Sequence, residues 1–118
     1  MTRYLYAFDS WALAALGALH MGATARKFHV LSSDALWFFS AGALLVVVAA
    51  LNLLNRAYGN SAPGLRWVCV AANVLVLALS VVGGILTHAS AAEWVIVLGI
   101  LVSMVVLSFL NPRYNRAR

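Results

Sequence analysis

The side chains in this sequence best suited to bind a metal ion or a haem iron are its three histidines, His20, His29 and His88. His20 and His88 each stand near the end of a long apolar segment, and Glu93 follows His88 closely. If the segments are membrane helices, all four residues lie at one end of a bundle, and His20 and His88 come from parallel helices. One predicted function is therefore binding of haem b by His20 and His88, or of a divalent metal by the histidines and Glu93. The alternative is interfacial histidines that bond to backbone or lipid headgroups.

Other signatures of chemistry are absent from the sequence. It contains no G-x-S-x-G, HExxH, phosphate loop or dinucleotide fingerprint. Cys69 is the single cysteine, which excludes an intramolecular disulfide and indicates a small buried side chain. The acidic residues Asp9, Asp34 and Glu93 all stand near predicted membrane interfaces, so we expect no carboxylate at the centre of the membrane. We therefore expect no enzymatic activity.

A polar stripe runs along the third apolar segment, where Arg66, Asn73, Ser80 and Thr87 recur every seven residues. Seven residues are close to two helical turns, so these side chains share one face of a helix. An asparagine in hydrocarbon needs a hydrogen-bond partner, so Asn73 and Ser80 should face the bundle rather than lipid. They would either join helices or line a polar path for a small solute, and a transporter or channel is thus a second alternative.

Four apolar segments must position these residues, at about 4–23, 35–54, 65–88 and 92–110. About 20 residues at 1.5 Å per residue cover the ~30 Å hydrocarbon layer. The chain is 64% hydrophobic and only 9% charged, whereas soluble domains carry about 25% charged residues. Short connections make successive helices antiparallel. The sequence therefore predicts an all-α, four-transmembrane-helix up-down-up-down bundle, with one integral membrane domain over residues 1–118.

The distribution of basic residues predicts the orientation of the chain. The side that holds both termini and the middle connection carries six arginines: Arg3, Arg56, Arg66, Arg113, Arg116 and Arg118. The opposite side carries only Arg26 and Lys27. Because cytoplasmic loops are enriched in basic residues, we expect both termini in the cytoplasm and a bacterial inner (plasma) membrane location. The net charge of +5 then serves contact with lipid headgroups, and we expect no nucleic-acid partner.

Small residues recur at helical spacing in three of the segments, in the sets Ala14, Ala18 and Gly22; Ala35, Gly42 and Ala49; and Gly99 and Ser103. Lipid gives apolar helices no hydrophobic reason to associate, so close backbone approach through small residues contributes to packing. The stripes indicate packing inside the bundle or within a homo-oligomer. Our leading prediction is a non-enzymatic accessory or structural subunit, either of a homo-oligomer or of a larger membrane complex.

Overall fold

The computed structural model describes residues 1–110, and these form four α-helices joined by short connections. The helices are α1 (Thr2–Lys27), α2 (Ser33–Tyr58), α3 (Pro63–Leu86) and α4 (Ala91–Leu110). The all-α, four-helix fold predicted from the sequence is confirmed. Arg113, Arg116 and Arg118, which contribute to the predicted orientation, lie outside the described residues.

Three of the helices, α2, α3 and α4, are long and apolar enough to cross a membrane. Helix α1 has 26 residues, the same length as α2, but it is not in this group. Asp9 and His20 lower its hydropathy, and Arg26 and Lys27 occupy its last turn. By helix length and hydropathy, three of the described helices are candidates for crossing a membrane. The sequence analysis predicts four membrane-spanning segments.

The helix ends follow local chemistry. The Ser32 side chain accepts a hydrogen bond from the backbone nitrogen of Ala35 at 3.2 Å and caps the start of α2. Pro63 begins α3, where its fixed φ and missing N–H cost nothing. His88 has a φ of 53° just after α3, and this left-handed residue turns the chain towards α4.

Helices α1 and α2 come into close backbone contact at a pair of glycines. A Cβ atom at Gly17 would lie 2.6 Å from the carbonyl oxygen of Gly42, and one at Gly42 would lie 2.7 Å from that of Gly17. A side chain at position 17 or position 42 would therefore clash with the backbone of the other helix. Gly22 and Gly99, which the small-residue stripes also include, have no neighbour within 4 Å of such an added atom. Of these stripe glycines, only Gly42 mediates close approach.

The core lies between the four helices and mixes apolar with polar side chains. Its apolar cluster is Tyr6, Leu13, Val48, Ala49, Val76, Leu101, Met104 and Leu107. The buried polar residues are Asp9, Ser10, Asn52, Asn55, Asn73 and Ser108. In a membrane protein such polar side chains turn inwards because lipid offers them no hydrogen bonds.

Candidate functional site

The centre of the polar core is a pair of asparagines on neighbouring helices. Asn52 Nδ2 of α2 donates to Asn73 Oδ1 of α3 at 2.8 Å, and Asn73 Nδ2 donates to Asn52 Oδ1 at 2.9 Å. Both side chains are completely buried. Each amide also reaches a backbone carbonyl, Asn52 that of Val48 at 2.8 Å and Asn73 that of Met104 on α4 at 3.4 Å. The pair therefore joins three helices.

Tyr6 connects α1 to this pair. Its hydroxyl donates to Asn52 Oδ1 at 2.8 Å and accepts from Asn55 Nδ2 at 2.9 Å. The ring is fully buried. Tyrosine hydroxyls in buried positions usually find such partners. With Tyr6, the hydrogen-bonded network reaches all four helices.

Cys69 adds a further hydrogen bond to the same oxygen. Its thiol donates to Asn52 Oδ1 at 3.2 Å, one turn of α3 before Asn73. The side chain is fully buried and unpaired with any other sulfur. It therefore packs as a small buried side chain, as its position in an apolar segment of the sequence predicts, and it also serves as a weak donor.

A second polar contact joins α1 to α4, separate from the asparagine pair. Ser103 Oγ donates to the carboxylate oxygen Oδ2 of Asp9. Asp9 is only 6% exposed, and its neighbour Ser10 is fully buried and donates to the Tyr6 carbonyl oxygen at 2.7 Å. The sequence groups Asp9 with the interfacial acids, whereas the structure buries its side chain between two helices.

The predicted histidine site is not assembled as a group. His20 is half-buried and stacks on Phe38 of α2, with ring centroids 3.9 Å apart. His29 and His88 are exposed. Within residues 1–110, no three or more His, Cys, Asp or Glu side chains lie where they could hold one metal ion. Haem or metal binding by these histidines stays a prediction.

Glu93, the fourth predicted ligand, caps the start of α4. Its Oε2 accepts from the backbone nitrogen of Ser90 at 2.7 Å and from the Ser90 hydroxyl at 2.8 Å. The Ser90 hydroxyl in turn lies 3.3 Å from the backbone nitrogen of Glu93, which donates to it. This reciprocal arrangement is a capping box, in which the serine and the glutamate satisfy the free N–H groups of the first turn. The carboxylate is thus engaged in holding the helix end.

The two residues predicted to face the bundle differ in their surroundings. Asn73 is fully buried and carries the contacts described above. Ser80, two turns further along α3, is half-buried. The polar network is therefore concentrated around Asn73, near the middle of α3.

Sequence reasoning missed Tyr6, Asn52 and Asn55. A signal for the asparagines exists, because Asn52 and Asn55 stand three residues apart near the end of an apolar segment and so share a helical face. Tyr6 is a tyrosine near a predicted interface, a position that usually indicates a membrane anchor. Its burial follows from the rotation of α1, which no local pattern specifies.

The network formed by the asparagines, Tyr6 and Cys69 joins the helices to one another. Asparagine amides, a tyrosine and a thiol bond mainly to one another, and each such bond stabilises helix contact. No protein-family model, curated protein or solved structure matches this chain. Its function is therefore inferred from the arrangement of its own side chains.

Proposed function

We propose that all four helices cross the membrane, including α1. The polar residues that lower the hydropathy of α1 include Asp9 and Ser10, and both are buried inside the bundle. The opposite face presents large apolar side chains, with Phe8 69%, Trp11 65% and Leu19 71% exposed. A helix of 26 residues is ~39 Å long at 1.5 Å per residue, which exceeds the hydrocarbon thickness. The face of α1 that would contact lipid is therefore apolar.

Within that membrane setting, the chain acts as a non-enzymatic structural or accessory subunit. The observation that carries this proposal is the bonding of the inner polar groups to one another. A polar path for a solute would have to be lined by Asn73. The side-chain nitrogen and oxygen of Asn73 both form hydrogen bonds with Asn52 instead. The surface available to other molecules is the apolar outer face. That face includes Leu75, Leu79 and Val82 on α3, each about half exposed. A protein of this kind works through contacts made in the plane of the membrane.

The proposed location is a bacterial inner membrane with both termini in the cytoplasm. Arg3 and Arg56 lie at the same end of the bundle, since Arg56 Nε donates to the carbonyl oxygen of Arg3 at 3.3 Å. Arg66 lies at that end too, where it donates to the carbonyl oxygen of Phe109. Three arginines at one end, with Arg26 and Lys27 at the other, favour this orientation by the positive-inside rule.

The test is the mass of the protein extracted from its own membrane in a mild detergent. The chain alone weighs 12.6 kDa. We expect a particle of fixed stoichiometry that contains either several copies of the chain or the chain with another membrane protein, by light scattering and native mass spectrometry. The same stoichiometry should be found after extraction into lipid nanodiscs. A lone monomer in both preparations contradicts the proposal.

A further inference from the structure

An apolar cleft lies where the end of α1, the connection that follows it and the start of α2 meet. Its volume is about 270 Å³. Most of the lining is apolar, and the side chains that form its walls include Met21, Ala25, Phe28, Leu31 and Phe39. Because Leu31 is 87% and Phe39 43% exposed, the cleft opens on the outer surface of the bundle. A concave apolar surface of this kind accommodates an apolar ligand or a part of one.

The cleft extends from the helix ends towards the middle of the bundle. Met21 stands six residues before Lys27, the last residue of α1, which is ~9 Å along the helix axis. Phe39 stands six residues after Ser33, the first residue of α2. Both lining residues therefore lie deeper in the membrane than the ends of their helices. A chain that enters the cleft at the level of the lipid headgroups would point into the hydrocarbon, as an acyl chain does.

Lys27 places a positive charge beside this cleft. Its Nζ atom lies 5.7 Å from the ring centroid of Phe28, which lines the cleft, and 4.9 Å from that of Phe38. The rings position the ammonium group by cation–π contact, and its three N–H groups can still donate to an anion. Arg26 precedes it and is exposed. Within residues 1–110, no acidic side chain forms an ion pair with either residue. The helix dipole favours basic residues at this end of α1, but it does not require an apolar cleft beside them.

We propose that this cleft binds one anionic phospholipid, with an acyl chain in the cleft and the phosphate against Lys27 and Arg26. Ammonium and guanidinium groups bind phosphate oxygens through charge-assisted hydrogen bonds. The imidazole of His29, which also lines the cleft, adds a hydrogen-bonding group. The site gives a local role to two basic residues at the end of the bundle proposed to be non-cytoplasmic, where such residues are depleted. This inference rests on the proposed crossing of the membrane by α1.

Native mass spectrometry of the full chain tests the proposal, after release from nanodiscs that contain equal amounts of phosphatidylglycerol and phosphatidylcholine. We expect one phosphatidylglycerol to be retained per chain. Its preference over phosphatidylcholine should be about 25-fold, because each basic side chain contributes about fivefold to the binding of an anionic lipid. Replacing both Arg26→Gln and Lys27→Gln should remove most of this preference.

The matched control replaces two basic residues at the other end of the bundle, Arg56→Gln with Arg66→Gln, which bond to backbone carbonyl oxygens there. This variant has lost the same charge and should keep the retained phosphatidylglycerol. Equal retention of the two lipids by the native protein overturns the proposal. So does a preference that survives in the variant of Arg26 and Lys27.

A substitution that fills the cleft tests the acyl-chain contact without changing the charge. Ala25 lines the cleft and is exposed, so Ala25→Trp should occupy the cleft and abolish retention of the lipid. Ala15→Trp is the control, because Ala15 is exposed on the same helix and is not among the lining residues. Circular dichroism should show equal helix content in both variants. If Ala25→Trp retains the lipid, or changes the number of protein chains in the particle instead, the cleft does not hold an acyl chain and the proposal is overturned.

A separate experiment distinguishes failure of this site from failure of the proposed membrane crossing. The variant Ala15→Cys, made with Cys69→Ser, places a thiol on the outer surface near the middle of α1. We expect a water-soluble maleimide to leave this thiol unmodified in nanodiscs. Modification would show that α1 lies outside the lipid and would overturn both proposals. A protected thiol in a protein without a lipid preference would overturn the phospholipid site alone.

Discussion

Asn52 and Asn73 bond to each other twice, each amide nitrogen donating to the oxygen of the other, at 2.8 and 2.9 Å. The pair is fully buried and joins α2 to α3. In hydrocarbon an unpaired amide has no water to replace a lost partner, so the pair fixes the rotation of both helices. The contacts of Tyr6, Cys69 and the Met104 carbonyl all converge on it.

Replacing Asn73 with alanine should lower the free energy of unfolding by about 1–3 kcal/mol, because it leaves the buried Asn52 amide short of a donor and an acceptor. The measurement is unfolding in mixed micelles, followed by circular dichroism. The control is Ser80→Ala on the same helix, which lies half-buried away from the asparagine pair. We expect that change to cost less than about 0.5 kcal/mol. Equal effects of the two variants would contradict a special role for Asn73.

Adding a methyl group at Gly17 should destabilise the α1–α2 contact. The new Cβ atom would lie 2.6 Å from the Gly42 carbonyl oxygen, so the helices must separate. Overpacking of this kind costs about 1–3 kcal/mol, which thermal unfolding in detergent will detect for Gly17→Ala. Gly99→Ala is the matched control, since its Cβ meets no atom within 4 Å. That control should be neutral or slightly stabilising, and a loss of similar size there would refute the explanation.

Removing the hydroxyl of Tyr6 should weaken the bundle without opening a cavity. Tyr6→Phe loses a donor to Asn52 and an acceptor for Asn55. We predict a loss of about 1–2 kcal/mol in unfolding free energy. Tyr4, two residues earlier, is 78% exposed, and Tyr4→Phe should leave stability unchanged. If the two variants behave alike in chemical denaturation, the Tyr6 hydroxyl contributes nothing to the fold.

Single cysteines in the connections will report the orientation of the chain. Cys69→Ser provides the background, since serine retains a donor for Asn52. Val30 and Asn60 are both exposed and lie in different connections. With both termini in the cytoplasm, a membrane-impermeant maleimide should modify Val30→Cys in intact spheroplasts. It should modify Asn60→Cys only after permeabilisation. The reverse pattern would contradict the proposed orientation.

The segments of the fold follow from hydropathy because a membrane requires long apolar runs. The predicted fourth segment, 92–110, differs from α4 (Ala91–Leu110) by one residue at its start. At α1 the helix continues to Lys27, four residues beyond the predicted segment, since helical hydrogen bonding does not stop where the side chains become polar. An average hydropathy counts polar residues equally whether they face inwards or outwards. The inward-facing polar residues of α1 therefore lower its average, and α1 falls outside the group of membrane-spanning candidates.

The site was less predictable than the segments, for a physical reason. A sequence shows that Asn73 needs a hydrogen-bond partner, but the partner depends on how far each neighbouring helix is rotated. Asn52 is 21 residues away in the chain, and no local spacing links the two. The histidines show that a shared end of the bundle, which the sequence does predict, does not establish contact. Residues at the same end of a bundle approach one another only if their helix ends converge, and His88 lies exposed after the end of α3.

The most direct test of this account is a double-mutant cycle on Asn52 and Asn73. Free energies of unfolding are measured for Asn52→Ala, Asn73→Ala and the double variant in the same mixed micelles. Because both asparagines bond to each other, the double variant should be less destabilised than the sum of the single variants. We predict a coupling energy of about 1 kcal/mol, within the range found for polar pairs in membrane bundles. Additive losses of unfolding free energy, with no coupling beyond measurement error, would contradict the claim that the hydrogen bonds between these two asparagines hold the helices together.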